Sequence, residues 1–181
     1  MISTFTAVFD SNVLFSNRLT SLLMWLAMSG LFRARWSNDI HREWMEAVSR
    51  ERGIPIAKLE GRRQYMDAAV PDSCVTGYED LIPALSLPDP DDRHVLAAAI
   101  RCGAGTIVNF NTSDFPADAL LKYSLHTRTP DDFILDVDGL SQGTLLNAAR
   151  DDIAHYIDPA ISVDDYIEGI RNAQAQKQPT T

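Results

Sequence analysis

The stretch Thr6-Ala7-Val8-Phe9-Asp10-Ser11-Asn12-Val13-Leu14 decides how this chain is built. Thr6 to Phe9 is short, apolar and β-favouring, so it reads as a strand, and it stops at an acid. From Asn12 to Gly30 the apolar residues Leu14, Leu19, Leu22, Leu23, Leu26 and Met28 recur at largely helical spacing, so a helix follows. The same alternation is repeated downstream. Phe32 to Trp36 reads as a second strand, and Ser37-Asn38-Asp39 offers N-cap chemistry for a helix over Ile40–Arg52. Gly53-Ile54-Pro55 interrupts that helix, and Ile56–Ala69 continues as a polar one.

Leu87-Pro88-Asp89-Pro90-Asp91-Asp92 is a stiff acidic loop entering a helix over Arg93–Cys102, with Gly103 as its stop. Thr106 to Asn109 reads as another strand ending in a polar turn. Strand, helix, strand, helix in this order predicts an α/β fold with a parallel sheet covered by helices. Right-handed crossovers bring successive strand ends to one edge, and the site of such a sheet lies beyond its carboxyl ends. Thr129-Pro130-Asp131-Asp132 caps a further helix starting near Phe133. Helices over Ser141–Ile157 and Ser162–Ala175 follow, and the polar tail Gln176–Thr181 is expected to fray.

The chain has 181 residues, enough for one domain with a small appendage. Two cysteines, Cys74 and Cys102, imply reduced thiols rather than a disulfide framework. The start, Met1 to Phe9, lacks the basic, apolar pattern of a signal peptide. Leu22 to Leu31 is shorter than the roughly 20 apolar residues a bilayer requires, so a cytoplasmic protein without membrane contact is expected. The net charge of −9 is unusual for a nucleic-acid enzyme. However, Arg33 to Arg63 carries eight of the 16 basic residues, and the segment from Thr129 onward has a net charge of −7. Local positive patches, rather than the total, govern phosphate binding.

Four acids fall where chemistry would sit: Asp10 at a strand end, Glu43 on a helix, Asp92 at a helix entry and Asp114 past the last strand. Each alone has an ordinary explanation as a turn residue, a cap or an exposed helix charge. Converging, they would make a site for hard divalent cations, which prefer oxygen ligands and can assist phosphodiester hydrolysis. His41, His94, His126 and His155 are too scattered for a zinc motif and read as core or surface residues. Gly103-Ala104-Gly105 follows a helix rather than opening one, so it does not read as a nucleotide-binding loop. Trp25, Trp36 and Trp44 read as core or dimer contacts.

The pieces Phe9-Asp10-Ser11-Asn12-Val13-Leu14, Ser37 through Glu43, Asp92 through Gly103 and Ile107 through Phe115 resemble, in order, PIN-domain nucleases, especially VapC-like toxins of toxin–antitoxin pairs. The resemblance implies a three-layer α/β/α PIN-like fold, dependence on Mg²⁺ or Mn²⁺, endonucleolytic cleavage of RNA, homodimerisation and inhibition by a cognate antitoxin. It assigns Asp10, Glu43, Asp92 and Asp114 to the family's acidic positions. Ser11 and Asn12 fall where small polar residues support the first acid, and Asp91 and Asp89 are candidate helpers. It also implies a nuclease core over 1–128 and a C-terminal helical extension over 129–181.

Two positions depart from the family pattern. Asn109 stands where a hydroxyl residue is common, and Asn111 stands where many members carry another acid. In the ribonuclease reading the basic segment, including Arg33, Arg35 and Arg42, guides RNA to the site. The alternative is a non-catalytic PIN-fold module that binds RNA or a protein partner. A phosphatase of another α/β type would need a second acid two residues after Asp10, where this chain has Asn12.

Overall fold

A computed structural model describes residues 4–175, so the expected fraying of Gln176–Thr181 lies outside the described residues. Five strands, β1 (Phe5–Phe9), β2 (Phe32–Ser37), β3 (Cys74–Val75), β4 (Thr106–Val108) and β5 (His126–Arg128), form one sheet of order β3-β2-β1-β4-β5. Every pairing is parallel. The helices flank this sheet, as the sequence order predicts.

β1 is central because both of its faces are apolar: Ala7, Val8 and Phe9 are fully buried. Alternation along the strands then sorts the layers. Phe133, from helix α7 (Pro130–Leu140), packs edge-on against Phe5, Phe9 and Phe32, with ring centres 6.0, 5.5 and 4.9 Å away. Val8 and its register partner Arg35 point to the other face. That face is covered by the amphipathic helix α5 (Arg93–Arg101), whose residues His94 to Ala99 are all buried. The expected division at 128/129 thus falls just before a helix that supplies a large core side chain.

The helix expected over Asn12–Gly30 is two helices, α1 (Ser11–Leu14) and α2 (Asn17–Met28). Ser16 sits between them in extended backbone, and its hydroxyl accepts from the Leu19 N–H. The buried Arg62 guanidinium, on α4 (Ile56–Ala69), fastens the break by donating to the carbonyl of Leu14 and to Thr20 Oγ1. Helix α3 (Asn38–Arg52) starts as expected, with Ser37 Oγ accepting from the Ile40 N–H at 3.2 Å, and stops at Gly53 in the left-handed region. Thr129 caps α7 through the Asp132 N–H, as its sequence suggests. A short helix, α6 (Ala117–Leu120), precedes β5; α8 (Thr144–His155) and α9 (Val163–Ala175) pack on α2. Of the apolar residues beyond Thr129, Phe133 and Ile134 are buried, whereas Leu135, Leu140, Leu146 and Ile157 are exposed. Among the described residues, no helix is long and apolar enough to cross a membrane.

Candidate active site

The sheet ladder itself places the first acid. The register pairs Phe9 with Val108, and the Asp10 N–H continues it by donating to the Val108 carbonyl at 3.1 Å. Asp10 therefore lies beside Asn109, just beyond the carboxyl edge. Its Oδ1 accepts from the Ser11 N–H at 2.6 Å and its Oδ2 from Asn109 Nδ2 at 3.0 Å. Glu43 comes from α3, which leaves the same edge after β2. Asp92 precedes α5, and Asp114 ends the 3-10 turn Thr112–Asp114 after β4.

The electrostatics link the four groups. Burial first, and then Glu43, push Asp10 up to about 6; the Ser11 N–H and His94 oppose this, and Asp114 adds to it. Burial, then Asp10, Asp114, Asp89 and Glu43, push Asp92 up to about 7. Burial and Asp89 also raise Asp114, while its hydrogen bond with Asn109 pulls the other way. Asp10, Asp92 and Asp114 are raised because they lie at a low-dielectric edge among acids of the same sign.

His94 belongs to this site, which corrects the sequence expectation of a bystander. Its Nε2 lies 2.6 Å from Glu43 Oε1. A carboxylate oxygen there can only accept, so Nε2 carries the proton. Among the described residues Nδ1 is buried without a hydrogen-bond partner, so the pairing with Glu43 is the ring's one directed bond there. Burial opposes protonation of His94, but the Glu43 hydrogen bond and the charges of Glu43, Asp10 and Asp39 outweigh it and raise its pKa. Nothing in the spacing of His94 announced this. The partner lies 51 positions earlier, on a helix from a different strand crossing.

The supporting residues divide. Ser11 serves through its backbone. Asn12 donates from Nδ2 to Asn109 Oδ1 at 2.6 Å. Asn111 donates from Nδ2 to Asp114 Oδ1 at 2.6 Å, and its own Oδ1 accepts from Ser113. Asp91 has an exposed side chain, and its backbone N–H donates to Asp89 Oδ1. Asp89, not Asp91, is the helper that Asp92 and Asp114 feel. Neither Asp91 nor Asp92 caps by side chain; Asp89 does that for the turn Pro90–Asp92.

Of the basic residues, Arg42 stands next to Glu43 and pairs with Asp39 at 2.7 Å. Arg33 and Arg35 do not join the acids. Arg33 pairs in register with Thr6, at the amino end of β1, and Arg35 acts on Cys102, at the far end of the nine-residue α5 from Asp92. That helix alone separates the two ends by about 13 Å.

The donor set is one of hard oxygens, and its raised carboxyl pKa values mark charge that a divalent cation would compensate, so the residues fit Mg²⁺ or Mn²⁺ in kind. Among the described residues, no three His, Cys, Asp or Glu side chains already form a metal cage. The fit is therefore one of chemistry and neighbourhood.

Sheet, flanking layers and edge acids together define a PIN-like α/β architecture, and the chain resembles VapC-like PIN proteins. Comparison by sequence gives the particular relative: Putative ribonuclease VapC50 of Mycobacterium tuberculosis (strain ATCC 25618 / H37Rv), 43% identical over 83 residues, which are 46% of this chain and 48% of that protein. The chain thus matches about half the length of this curated relative. No family model and no solved structure matches the chain.

Proposed function

We propose that the chain is a divalent-cation-dependent endoribonuclease, the toxin of a type II toxin–antitoxin pair. What supports this reading is that Asp10, Glu43, Asp92 and Asp114, from four separate segments at the carboxyl edge of a parallel sheet, lie within electrostatic reach: beyond the larger effect of burial, Glu43 and Asp114 raise Asp10, and Asp10, Asp114 and Glu43 raise Asp92. The name of the partial relative, a putative ribonuclease, supports RNA as substrate.

Asp10, Glu43, Asp92 and Asp114 would hold Mg²⁺ or Mn²⁺. The cation supplies Lewis acidity toward the phosphoryl oxygens and makes water a better nucleophile near neutral pH. The chain's own residues prepare the site. His94 holds one oxygen of Glu43, which fixes the carboxylate's direction. Asn111 holds one oxygen of Asp114. Asp10 is anchored at both oxygens and excluded from bulk water, so its charge acts at full strength on whatever cation or phosphate approaches. Asp92, whose carboxyl is pushed up by burial first and then by Asp10, Asp114, Asp89 and Glu43, is the acid most in need of a compensating positive charge.

Arg42, exposed beside Glu43, meets the RNA backbone, whereas Arg33 and Arg35 contribute through the long-range field. In this reading residues 1–128 carry the chemistry and 129–181 form a helical extension whose first helix lends Phe133 to the core. A homodimer in the cytoplasm, silenced by a cognate antitoxin, completes the reading. The alternative is a non-catalytic module that binds RNA or a protein partner; Asn109 and Asn111, which depart from the family pattern, hydrogen-bond Asp10 and Asp114 here.

The test is incubation of the purified protein with a panel of end-labelled RNAs in Mg²⁺, Mn²⁺ or EDTA. Cleavage is expected with either cation and not with EDTA. Absence of cleavage across the panel by folded, cation-loaded protein would contradict the proposal. Expression should arrest bacterial growth, and co-expression of the adjacent reading frame should restore it.

A further inference from the structure

Helix α3 carries Arg42 on its exposed side, next to Glu43, and offers it two acids. Asp39 lies three residues before it and the exposed Glu46 four residues after it, and both spacings suit an ion pair on a helix surface. The choice decides where the guanidinium sits. α3 starts at the carboxyl edge, directly after β2, and its course separates Asp39 from Glu46 by about 10 Å. An Arg42 turned to Asp39 stays by the edge, and one turned to Glu46 leaves it. Arg42 takes Asp39, with Nη1 2.7 Å from Oδ1. The other oxygen of Asp39, Oδ2, accepts from the Tyr78 hydroxyl at 2.6 Å. Tyr78 belongs to the turn after β3, following Gly77 at a φ of 69°, and is only 2% exposed.

We propose that Tyr78 is a positioning residue: through Asp39 it holds Arg42 at the carboxyl edge as a clamp for a phosphate of the RNA backbone. This inference rests on the ribonuclease reading and deepens it. An exposed ion pair between neighbours on one helix holds a side chain weakly. A phenol locked in the core changes that, because its bond to a carboxylate is charge-assisted and its ring cannot follow Asp39 outward. Arg42 remains 59% exposed, and a guanidinium has several N–H groups, so one carboxylate oxygen leaves donors for a phosphate. A phosphodiester approaching Asp10, Glu43, Asp92 and Asp114 meets like charge, and a cation fixed beside Glu43 offsets it.

The experiment follows the fluorescence anisotropy of a labelled single-stranded RNA on the full chain carrying Asp10→Asn, in Mg²⁺ over a series of KCl concentrations. Values of kcat and KM are measured beside it with Asp10 intact. Arg42→Ala should weaken binding about 10-fold and lower the salt slope by about 0.7. Tyr78→Phe deletes only the hydroxyl. It should weaken binding about 4-fold and raise KM by a similar factor, with kcat changed by less than about twofold. Added to Arg42→Ala, it should change affinity by less than about 1.5-fold. Added to Glu46→Gln, which removes the competing acid, it should weaken binding by less than about twofold. Unchanged affinity in Tyr78→Phe, or an equal loss with and without Arg42, would overturn the inference.

Should Tyr78→Phe fail to fold, Asp39→Ala separates positioning from charge. It removes an acid, so the field alone would tighten RNA binding, whereas loss of the clamp should weaken it about twofold. Tighter or unchanged binding there overturns the inference equally. A parent that binds RNA but cuts none contradicts the ribonuclease reading, while the Tyr78 comparison still stands or falls on binding. A parent that cuts RNA while Tyr78→Phe binds it normally contradicts the inference alone. A chain that binds no RNA sinks both.

Discussion

Among the described residues two aspartates are buried, and their surroundings are opposite. Asp10 is 4% exposed and accepts from a backbone N–H and an amide, yet Glu43, Asp92 and Asp114 lie around it. Asp152, on α8, is 0% exposed and accepts from the hydroxyls of Ser21 on α2 and Tyr166 on α9 at 2.5 and 2.7 Å. Around Asp152 the theme is complementarity. The Arg18 guanidinium stacks 4.4 Å from the Tyr156 ring centre and 5.5 Å from that of Tyr166, tying the C-terminal helices to α2. Burial and hydrogen bonding therefore do not distinguish a working acid from a structural one. The sign of the neighbouring charges does, because an unrelieved cluster of one sign costs stability and persists only where it has a use.

The comparison breaks most sharply by exchanging amides for acids. Asp10→Asn should cost RNA cleavage about 100-fold or more while leaving the protein folded, since removal of a disfavoured charge offsets the NH₂ that must then face Ser11 or Asn109. Asp152→Ala should leave cleavage per folded molecule unchanged and lower unfolding free energy by about 2–3 kcal/mol, because two buried hydroxyls lose their acceptor. Denaturant melts beside cleavage rates read both effects. If Asp152→Ala lost activity at full stability, or Asp10→Asn unfolded, the contrast would be wrong.

Phe133→Ala sharpens the same contrast on the packing side. The ring sits among Phe5, Phe9 and Phe32, so a loss of about 3–5 kcal/mol is expected by urea unfolding. A loss under about 1 kcal/mol would show that α7 is peripheral. Truncation after Pro130 should accordingly give unfolded protein.

A smaller effect concerns pH. Asp10 and Asp92 ionise at about 6 and 7 in the folded chain instead of the ordinary 3.8, so the folded state holds these protons more tightly than the unfolded one. Their contribution to stability is complete below the ordinary value and is lost as pH rises through the folded values. The raised pKa of His94 acts in the same direction. Cation-free protein should therefore melt at lower temperature at about pH 8 than at about pH 5, and Mn²⁺ should narrow the difference. Thermal scans with EDTA that show rising stability over that window would contradict the acidic cluster's role.

Much of this was legible in the sequence, for reasons that also explain the gaps. β1, β2 and β4 announce themselves by apolar runs, and Asp10, Asp92 and Asp114 follow because each lies at the end or start of an element, whereas Glu43 lies inside α3, in its second turn. β3 and β5 were not seen: Cys74–Val75 and His126–Arg128 are two and three residues long, and only pairing with β2 and β4 makes them strands. The break at Ser16 was hidden because Leu14, Leu19 and Leu22 keep helical spacing across it. Arg33, Arg35 and Arg42 are close along the chain but sit at different depths: Arg33 pairs with Thr6 toward the amino edge, Arg35 with Val8 nearer the carboxyl edge, and Arg42 stands on α3 beside Glu43. His94 and Asn109 act through partners 51 and 99 positions away, which no local pattern can show.

The central claim, that four acids form one cation site, is tested most directly by Mn²⁺ titration of the parent and of Asp10→Asn, Glu43→Gln, Asp92→Asn and Asp114→Asn. Shared ligation predicts that every one of the four weakens binding by about 10-fold or more while the protein stays folded. Parent-like affinity in any of them would remove that acid from the site, and parent-like affinity in Asp10→Asn would contradict the account itself.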